Sequence, residues 1–345
     1  MEFALIAGPV FPTRQEMSSK EAFDLEMKFC AEAERTGFEG VSINHHYLVG
    51  PEAQCFQPFP LCAHIMSKHP NLYVMTTVFI LSYHNPVEVA EQVATLDMIA
   101  PGKLLFGVGQ GYRDKEAQAM NIQHKDRRGR MAEGITAMRM LWADGPSTFQ
   151  GEHFKFTNAD IGPRPVNGKG PPIIVAADKV FTVARVPKLG ADYWLPSARH
   201  SKPFLREALP AYKKSLDEVG REFKGIPLQR DMCVGKDEHD AQSIVAKSYE
   251  RMLHMQSGWG QPGERYDQSF DKLKEERVIL GSPQQCAEEL AKIHKEFGAE
   301  FVLFRLYTPG MEPSLALEMV EQVGKEVLPL VRKEVGRRSL FAEAV

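Results

Sequence analysis

Gly40-Val41-Ser42-Ile43-Asn44-His45-His46-Tyr47 is a short apolar run, β-branched at Val41 and Ile43, that ends directly in two imidazoles. If the run is a strand of a parallel sheet, both histidines stand at its C-terminal end, where β/α folds place their chemistry. Similar β-rich runs recur along the chain, at residues 3–7, 40–44, 72–79, 104–108, 173–176, 192–195, 228–234 and 301–306. That makes eight, the number that closes a (β/α)8 barrel.

Helical periodicity fills the intervals. Ser18 and Ser19 can cap a helix whose apolar positions Phe23, Met27, Cys30 and Ala31 lie three and four apart, and Gly37 stops it. Pro86 opens another, carrying Val89, Ala90, Val93, Ala94 and Leu96 to a stop at Pro101-Gly102. Further helices are expected over residues 127–142, 180–189, 202–219, 237–255, 282–297 and 313–335. Two segments break the alternation. Residues 147–172 hold a small hairpin around Thr148–Phe156 and then a Pro/Gly-rich stretch, and residues 256–277 are poorly periodic. Long loops of this kind in compact domains usually cover or line a site. A doubly wound open sheet shares the alternation but seldom needs eight evenly spaced units, so the barrel is preferred.

Composition narrows the function. The 345 residues are 43% hydrophobic and 25% charged, ordinary for a globular chain of this length, and are read as one domain. With 42 basic against 45 acidic residues the net charge is −3, so no global field favours nucleic acid or an anionic membrane. The N-terminal stretch is too short and too weakly basic for a secretion signal, and a cytoplasmic location is expected. Cys30, Cys55, Cys62, Cys233 and Cys286 form no close pair, which argues for reduced thiols and against a zinc site.

Three further motifs admit a structural and a functional reading each. Phe106-Gly-Val-Gly-Gln-Gly111 follows a strand, but Tyr112 stands where a dinucleotide fingerprint needs its third glycine. Its glycines serve either a crowded strand turn or close approach of a flat cofactor. Thr76 and Thr77 place two hydroxyls side by side on a strand that runs into His84-Asn85-Pro86, where either residue before the proline can cap a helix. Ile173-Ile-Val-Ala-Ala-Asp-Lys179 runs from a strand into a helix start that could seat an anion with Lys179, or simply be capped by Asp178. His45 and His46 are adjacent on a strand, so their side chains point to opposite faces and only one should face the barrel mouth. Metal chelation by the pair is disfavoured on the same ground, and no metal is expected.

The chain resembles the bacterial luciferase-like, flavin-dependent monooxygenases. The likeness lies in Asn44-His45-His46, in Asn85-Pro-Val-x-Val-Ala-Glu-x-Val-Ala-Thr-Leu-Asp97, in Pro101-Gly-Lys-Leu-Leu-Phe-Gly-Val-Gly-Gln-Gly111 and in Ile279-Leu-Gly-Ser-Pro-Gln-Gln-Cys-Ala-Glu-Glu-Leu290. It implies a luciferase-like α/β (β/α)8 TIM barrel over residues 1–345, with insertions after strand 4 (about 147–172) and before strand 8 (about 256–277). It further implies a cytoplasmic homodimer that takes reduced FMN from a separate flavin reductase. With O2, such an enzyme oxygenates a small organic substrate through a C4a-peroxyflavin. The alternatives it leaves are F420-dependent hydride transfer, which would want a basic groove for an acidic cofactor tail, and a non-catalytic flavin-binding barrel.

Carried over residue by residue, the resemblance places the isoalloxazine against Asn44, Thr76, Thr77 and Val78, near a non-proline cis peptide at Thr77-Val78. It places the phosphate at Gln110, Gly111 and Tyr112 and at Ala177, Asp178 and Lys179. The family's arginine is replaced by Gln110, and its acidic-then-serine pair by Ala177-Asp178, so Lys179, Arg113 or Arg164 is expected to supply the phosphate's countercharge. Asn44 likewise replaces a glutamate. His45 matches the family's catalytic histidine, His46 is expected to support the strand end, and the loop near Trp259 is expected to cover the substrate.

Overall fold

The computed structural model describes residues 1–8, 13–260 and 269–342. The elements up to the hairpin are β1 (Glu2–Ile6), α1 (Ser19–Thr36), β2 (Gly40–Ile43), α2 (Pro58–Lys68), β3 (Tyr73–Thr76), β4 (Phe79–Ile80), α3 (Pro86–Ile99), β5 (Leu104–Gly109), α4 (Asp114–Ala119) and α5 (Arg127–Trp142). The hairpin strands β6 (Ser147–Gln150) and β7 (Lys155–Ala159) precede β8 (Ile173–Ala176), α6 (Val180–Val183), β9 (Tyr193–Leu195), α7 (Lys202–Glu218) and β10 (Ile226–Val234). The rest comprises α8 (Glu238–Ser257), α9 (Phe270–Arg277), β11 (Val278–Gly281), α10 (Pro283–Phe297), β12 (Ala299–Arg305), α11 (Pro313–Gln322) and α12 (Leu328–Val335).

Apart from the hairpin, the strands form one curled sheet in the order β11-β10-β12-β1-β2-β3-β5-β8-β9, with β4 pairing β5 off that path, and every pairing is parallel. β1 lies between β12 and β2, with Ala4 opposite both Leu303 and Gly40, and the rings of Phe3 and Phe304 stack at 5.7 Å. The curl brings β10 beside the end of β9, where the Gln229 N–H donates to the Pro196 carbonyl at 3.0 Å.

Strand alternation sorts the side chains. Ala4, Met75, Leu105, Ile174, Leu195, Phe301 and Leu303 pack together inside the curl, while their neighbours Phe3, Val74, Leu104 and Phe106 join the larger core under the helices. Each phenylalanine so buried contributes roughly 2–3 kcal/mol by area. Local signals set the helix ends as the sequence predicts. Ser18 and Glu21 form a capping box on α1, and Gly37, at φ 94°, closes it in the left-handed conformation. The Asn85 side chain accepts from the Val87 N–H ahead of α3, and Ser282 with Gln285 caps α10.

All eight expected strands are present, and the differences lie in their detail and in the helices, among them a π-helical segment at Val323–Val327 that divides the helix expected over 313–335. Residues 72–79 are two strands, β3 and β4, separated by a cis peptide at Thr77-Val78 where the resemblance places one. The helix expected over 180–189 stops at Val183 because Pro187 cannot continue it, and only a 3-10 turn follows at Pro187–Leu189. The segment expected to be irregular at 256–277 contains the end of α8 and all of α9, with residues 261–268 outside the described part. Its β-branched continuation adds the short strand β11, which pairs with the far end of β10.

Candidate functional site

At the C-terminal ends of the strands lies a cavity of about 860 Å³, in the range of small-molecule and cofactor sites. It gathers residues far apart in sequence: Asn44, His45 and His46 after β2; Thr77 and Val78 after β3; Gln110, Gly111 and Tyr112 after β5; Ala177, Asp178 and Lys179 after β8. Of the cofactor-contact residues expected from the sequence, Thr76 is the one outside the wall. It is fully buried and its Oγ1 donates to the Gly107 carbonyl at 2.7 Å. Thr77 points the other way, and its Oγ1 donates to Asn44 Oδ1 at 2.9 Å, so Asn44 is held by the neighbouring strand.

The two histidines occupy different environments, as strand alternation requires. His45 is 2% exposed, stacked on Phe79 with ring centroids 4.9 Å apart and edge-on to Tyr47 at 4.6 Å. Its Nδ1 accepts the Ile80 N–H at 3.1 Å, which leaves the ring proton on Nε2. Burial, with the nearby His84 and His46 rings adding to it, pushes the imidazole down to about 3. His46, by contrast, is 15% exposed and flanked by Tyr112 and Trp259. Its Nδ1 lies 3.0 Å from Oε1 of Glu116, a fully buried carboxylate on α4. The same oxygen accepts from Arg113 Nη1 at 2.7 Å and from the Tyr47 N–H at 3.2 Å. Burial works to raise Glu116, but His46 and Arg113 outweigh it and hold the carboxyl below its ordinary value.

The neutral His45 makes folding acid-sensitive. Its folded value lies below the unfolded one, so between pH 6.5 and about 3 the unfolded chain binds a proton that the native chain refuses. Stability is therefore fully present above 6.5 and falls with pH at up to about 1.4 kcal/mol per unit. His84 and His200, both lowered chiefly by burial, add to the slope. Urea unfolding measured between pH 4.5 and 6.5 should show stability falling less steeply on acidification in His45→Gln than in the parent, the buried Glu26, pushed up to about 8, acting with the opposite sign in both. An unchanged slope in that variant would mean His45 is charged in the native state.

Two glycines of the glycine-rich turn have a packing reason. A Cβ on Gly107 would sit 1.9 Å from the Thr76 carbonyl oxygen, and one on Gly109 2.6 Å from Val78 Cγ2. The space is taken by the irregular end of β3, so these glycines admit a neighbouring strand.

The expected countercharges also differ. Arg113 is buried on Glu116 and on the Tyr47 carbonyl, and Arg164 is engaged with Asp160 and the Gly145 carbonyl, so neither is available to a phosphate. Asp178 does not cap α6, whose N-cap is Lys179. Its Oδ1 instead accepts from Arg199 Nη2 at 3.0 Å and lies 3.1 Å from His200 Nε2. Burial would raise Asp178, but these two neighbours hold it below the usual carboxylate range. Lys179 is exposed on the cavity wall as expected, and three further cations join it there: Lys125 and Arg128 near the start of α5, and Arg185 after α6. None of the four has an ion-pair partner among the described residues, whereas Arg127, Arg199 and Arg305 on the same wall are paired with Asp114, Asp178 and Asp231. The sequence reading missed Glu116, Lys125, Arg128 and Arg185, because no local pattern ties them to β2 or β8. Among the described residues no cluster of His, Cys, Asp or Glu could hold a metal.

Comparison with known proteins agrees with this architecture. A family model described as luciferase-like monooxygenase matches residues 1–300. An F420-dependent glucose-6-phosphate dehydrogenase of Segniliparus rotundus is 22% identical over 86% of this chain and 91% of that protein. An FMNH2-dependent dimethylsulfone monooxygenase of Pseudomonas fluorescens is 21% identical over 95% and 92%. In three dimensions, the monooxygenase RslO1 from Streptomyces bottropensis superposes with a TM-score of 0.85 at 20% identity, covering 95% of this chain and 99% of that one.

Proposed function

This chain belongs to the luciferase-like monooxygenase family, and from that premise we propose that it is a two-component monooxygenase using reduced FMN, supplied by a separate reductase, and O2. The observation that carries the reading is the division of the cavity wall. Four cations without ion-pair partners among the described residues, Lys125, Arg128, Lys179 and Arg185, stand on its α5 and α6 side, and the small polar and apolar groups Asn44, Thr77 and Val78 stand at the ends of β2 and β3. A flat ring carrying a phosphate on a short chain has that polarity, and the donor set fits it. When bound, the reduced flavin would supply the two electrons that activate O2.

The chain's own residues do the rest. Lys125, Arg128, Lys179 and Arg185 hold the anionic end. Asn44, fixed by Thr77, offers its amide to the ring edge. Tyr112 and Trp259 flank the inner cavity and keep water from it, as an oxygenating site requires. We read the curled sheet as a closed (β/α)8 barrel, with the hairpin β6–β7 and the segment before β11 as insertions on that frame.

A second reading, hydride transfer with F420, is favoured by the same cations and by the relative named an F420-dependent dehydrogenase. Four free positive charges exceed what one phosphate needs and would suit an acidic tail. Anaerobic fluorescence titration with FMN and with F420, followed by O2 uptake with FMNH2 and a panel of ketones, aromatics and sulfur compounds, separates the two. The expected result is substrate-dependent O2 uptake above flavin autoxidation. Reduction of F420 by an alcohol, without such uptake, overturns it.

A further inference from the structure

We propose, building on that cofactor reading, that His46 is the group that moves the proton in this cavity, and that Glu116 is its positioning residue. The resemblance to the family gives the proton-handling role to His45, but the geometry argues for its neighbour. His45 has its Nδ1 occupied by the Ile80 N–H and is packed against Phe79 and Tyr47. Among the described residues only the Gln57 side chain favours its charged form, and burial outweighs it and keeps the ring neutral. A ring so held cannot accept a proton near neutral pH.

His46 has the complementary arrangement. Glu116 is held ionised and so can only accept hydrogen bonds, which fixes the His46 proton on Nδ1, the nitrogen 3.0 Å from it. Nε2 is then a lone pair on a ring that lines the cavity. Arg113 and the Tyr47 N–H share the same Glu116 oxygen and lock its orientation, and Trp259 lies over both Arg113 at 4.8 Å and His46 at 5.1 Å. The charged and titratable groups around His46 are thus Glu116 from α4, Arg113 at its N-cap, Tyr112 from the preceding loop, the buried Cys55 thiol beside the His46 backbone, and His45. In the step assigned to it, an O–H bond of a hydroxyl-bearing substrate, a phenol among the aromatics or an alcohol in the F420 reading, breaks with its electron pair left on oxygen, and an N–H bond forms at Nε2. The imidazolium keeps its Nδ1–H on Glu116, which balances the new charge, and the proton leaves by the reverse path.

The test compares His46→Gln, Glu116→Gln and His45→Gln in the cofactor-loaded enzyme, with folding checked by circular dichroism. His46→Gln should bind FMN or F420 within about twofold of the parent yet lose about 10²–10³ in kcat, and the acidic limb of its pH–rate profile should vanish. Glu116→Gln should lose about 10–100-fold with the limb displaced, and His45→Gln should keep the limb. A limb that persists in His46→Gln, or parental turnover there, overturns the proposal. If the parent binds neither cofactor, the cofactor reading falls, and the histidine assignment is read separately on the cofactor-free chain. Diethyl pyrocarbonate followed by peptide mass spectrometry should then mark His46 and spare His45. The opposite pattern overturns it.

Discussion

Replacing Arg128, Lys179 and Arg185 together by alanine weakens FMN binding about 100-fold and leaves riboflavin binding within about twofold. The three cations have no ion-pair partner among the described residues and line the cavity, so each would interact with the phosphate at the solvent boundary. At that boundary one charge pair is worth about 1 kcal/mol, and three sum to about 3 kcal/mol, or roughly 100-fold in Kd. Riboflavin carries the same ring without the phosphate, so it reports whether the ring site survives. Raising ionic strength should erode FMN binding to the parent and barely alter it in the variant. If the triple variant binds FMN as tightly as the parent, the phosphate sits elsewhere and the proposed polarity of the cavity is wrong.

Gly107→Ala should destabilise the fold by about 3 kcal/mol or more, the upper range for overpacking. The new methyl would meet a backbone oxygen, that of Thr76, at 1.9 Å, and a backbone atom on a paired strand has no rotamer by which to withdraw. Gly145→Ala is the control. It has a left-handed φ of 78° but nothing within 4 Å of the added carbon, so it should cost only the conformational term of about 1 kcal/mol. Urea denaturation of the pair separates collision from backbone preference. Equal stability of the two variants would mean β3 and β5 can part to admit the methyl.

Those two glycine sites show what the sequence made legible and what it did not. The strand positions were readable because apolar runs of the right length alternate with amphipathic helices, and caps such as Ser18 and Asn85 mark their boundaries locally. The purpose of Gly107 was not, since its reason is the Thr76 carbonyl on another strand. Similarly, Thr76 and Thr77 differ in role only because alternation turns one under the sheet and the other into the cavity. The resemblance brought Asn44, Thr77, Gln110 and Lys179 to one place, and they line one cavity. Glu116 escaped because its partner His46 lies many residues earlier, and a glutamate on a short polar helix reads as ordinary surface. Arg113, singled out for its charge, is satisfied by that same glutamate.

The pairing of β1 between β12 and β2 has a bearing on how the chain reaches this state. During synthesis, β1 and β2 leave the ribosome early, but the other flank of β1 is not supplied until residues 299–305 have emerged. Until then β1 is an edge, with the apolar Phe3 and Leu5 exposed on a strand whose backbone groups are half unpaired. Closing that edge is a contact between distant parts of the chain, and its loop entropy is spent before the sheet rewards it. Folding is therefore gated by the arrival of β12, and the waiting β1 edge is the place where a nascent or unfolded chain would meet a chaperone or a second copy of itself.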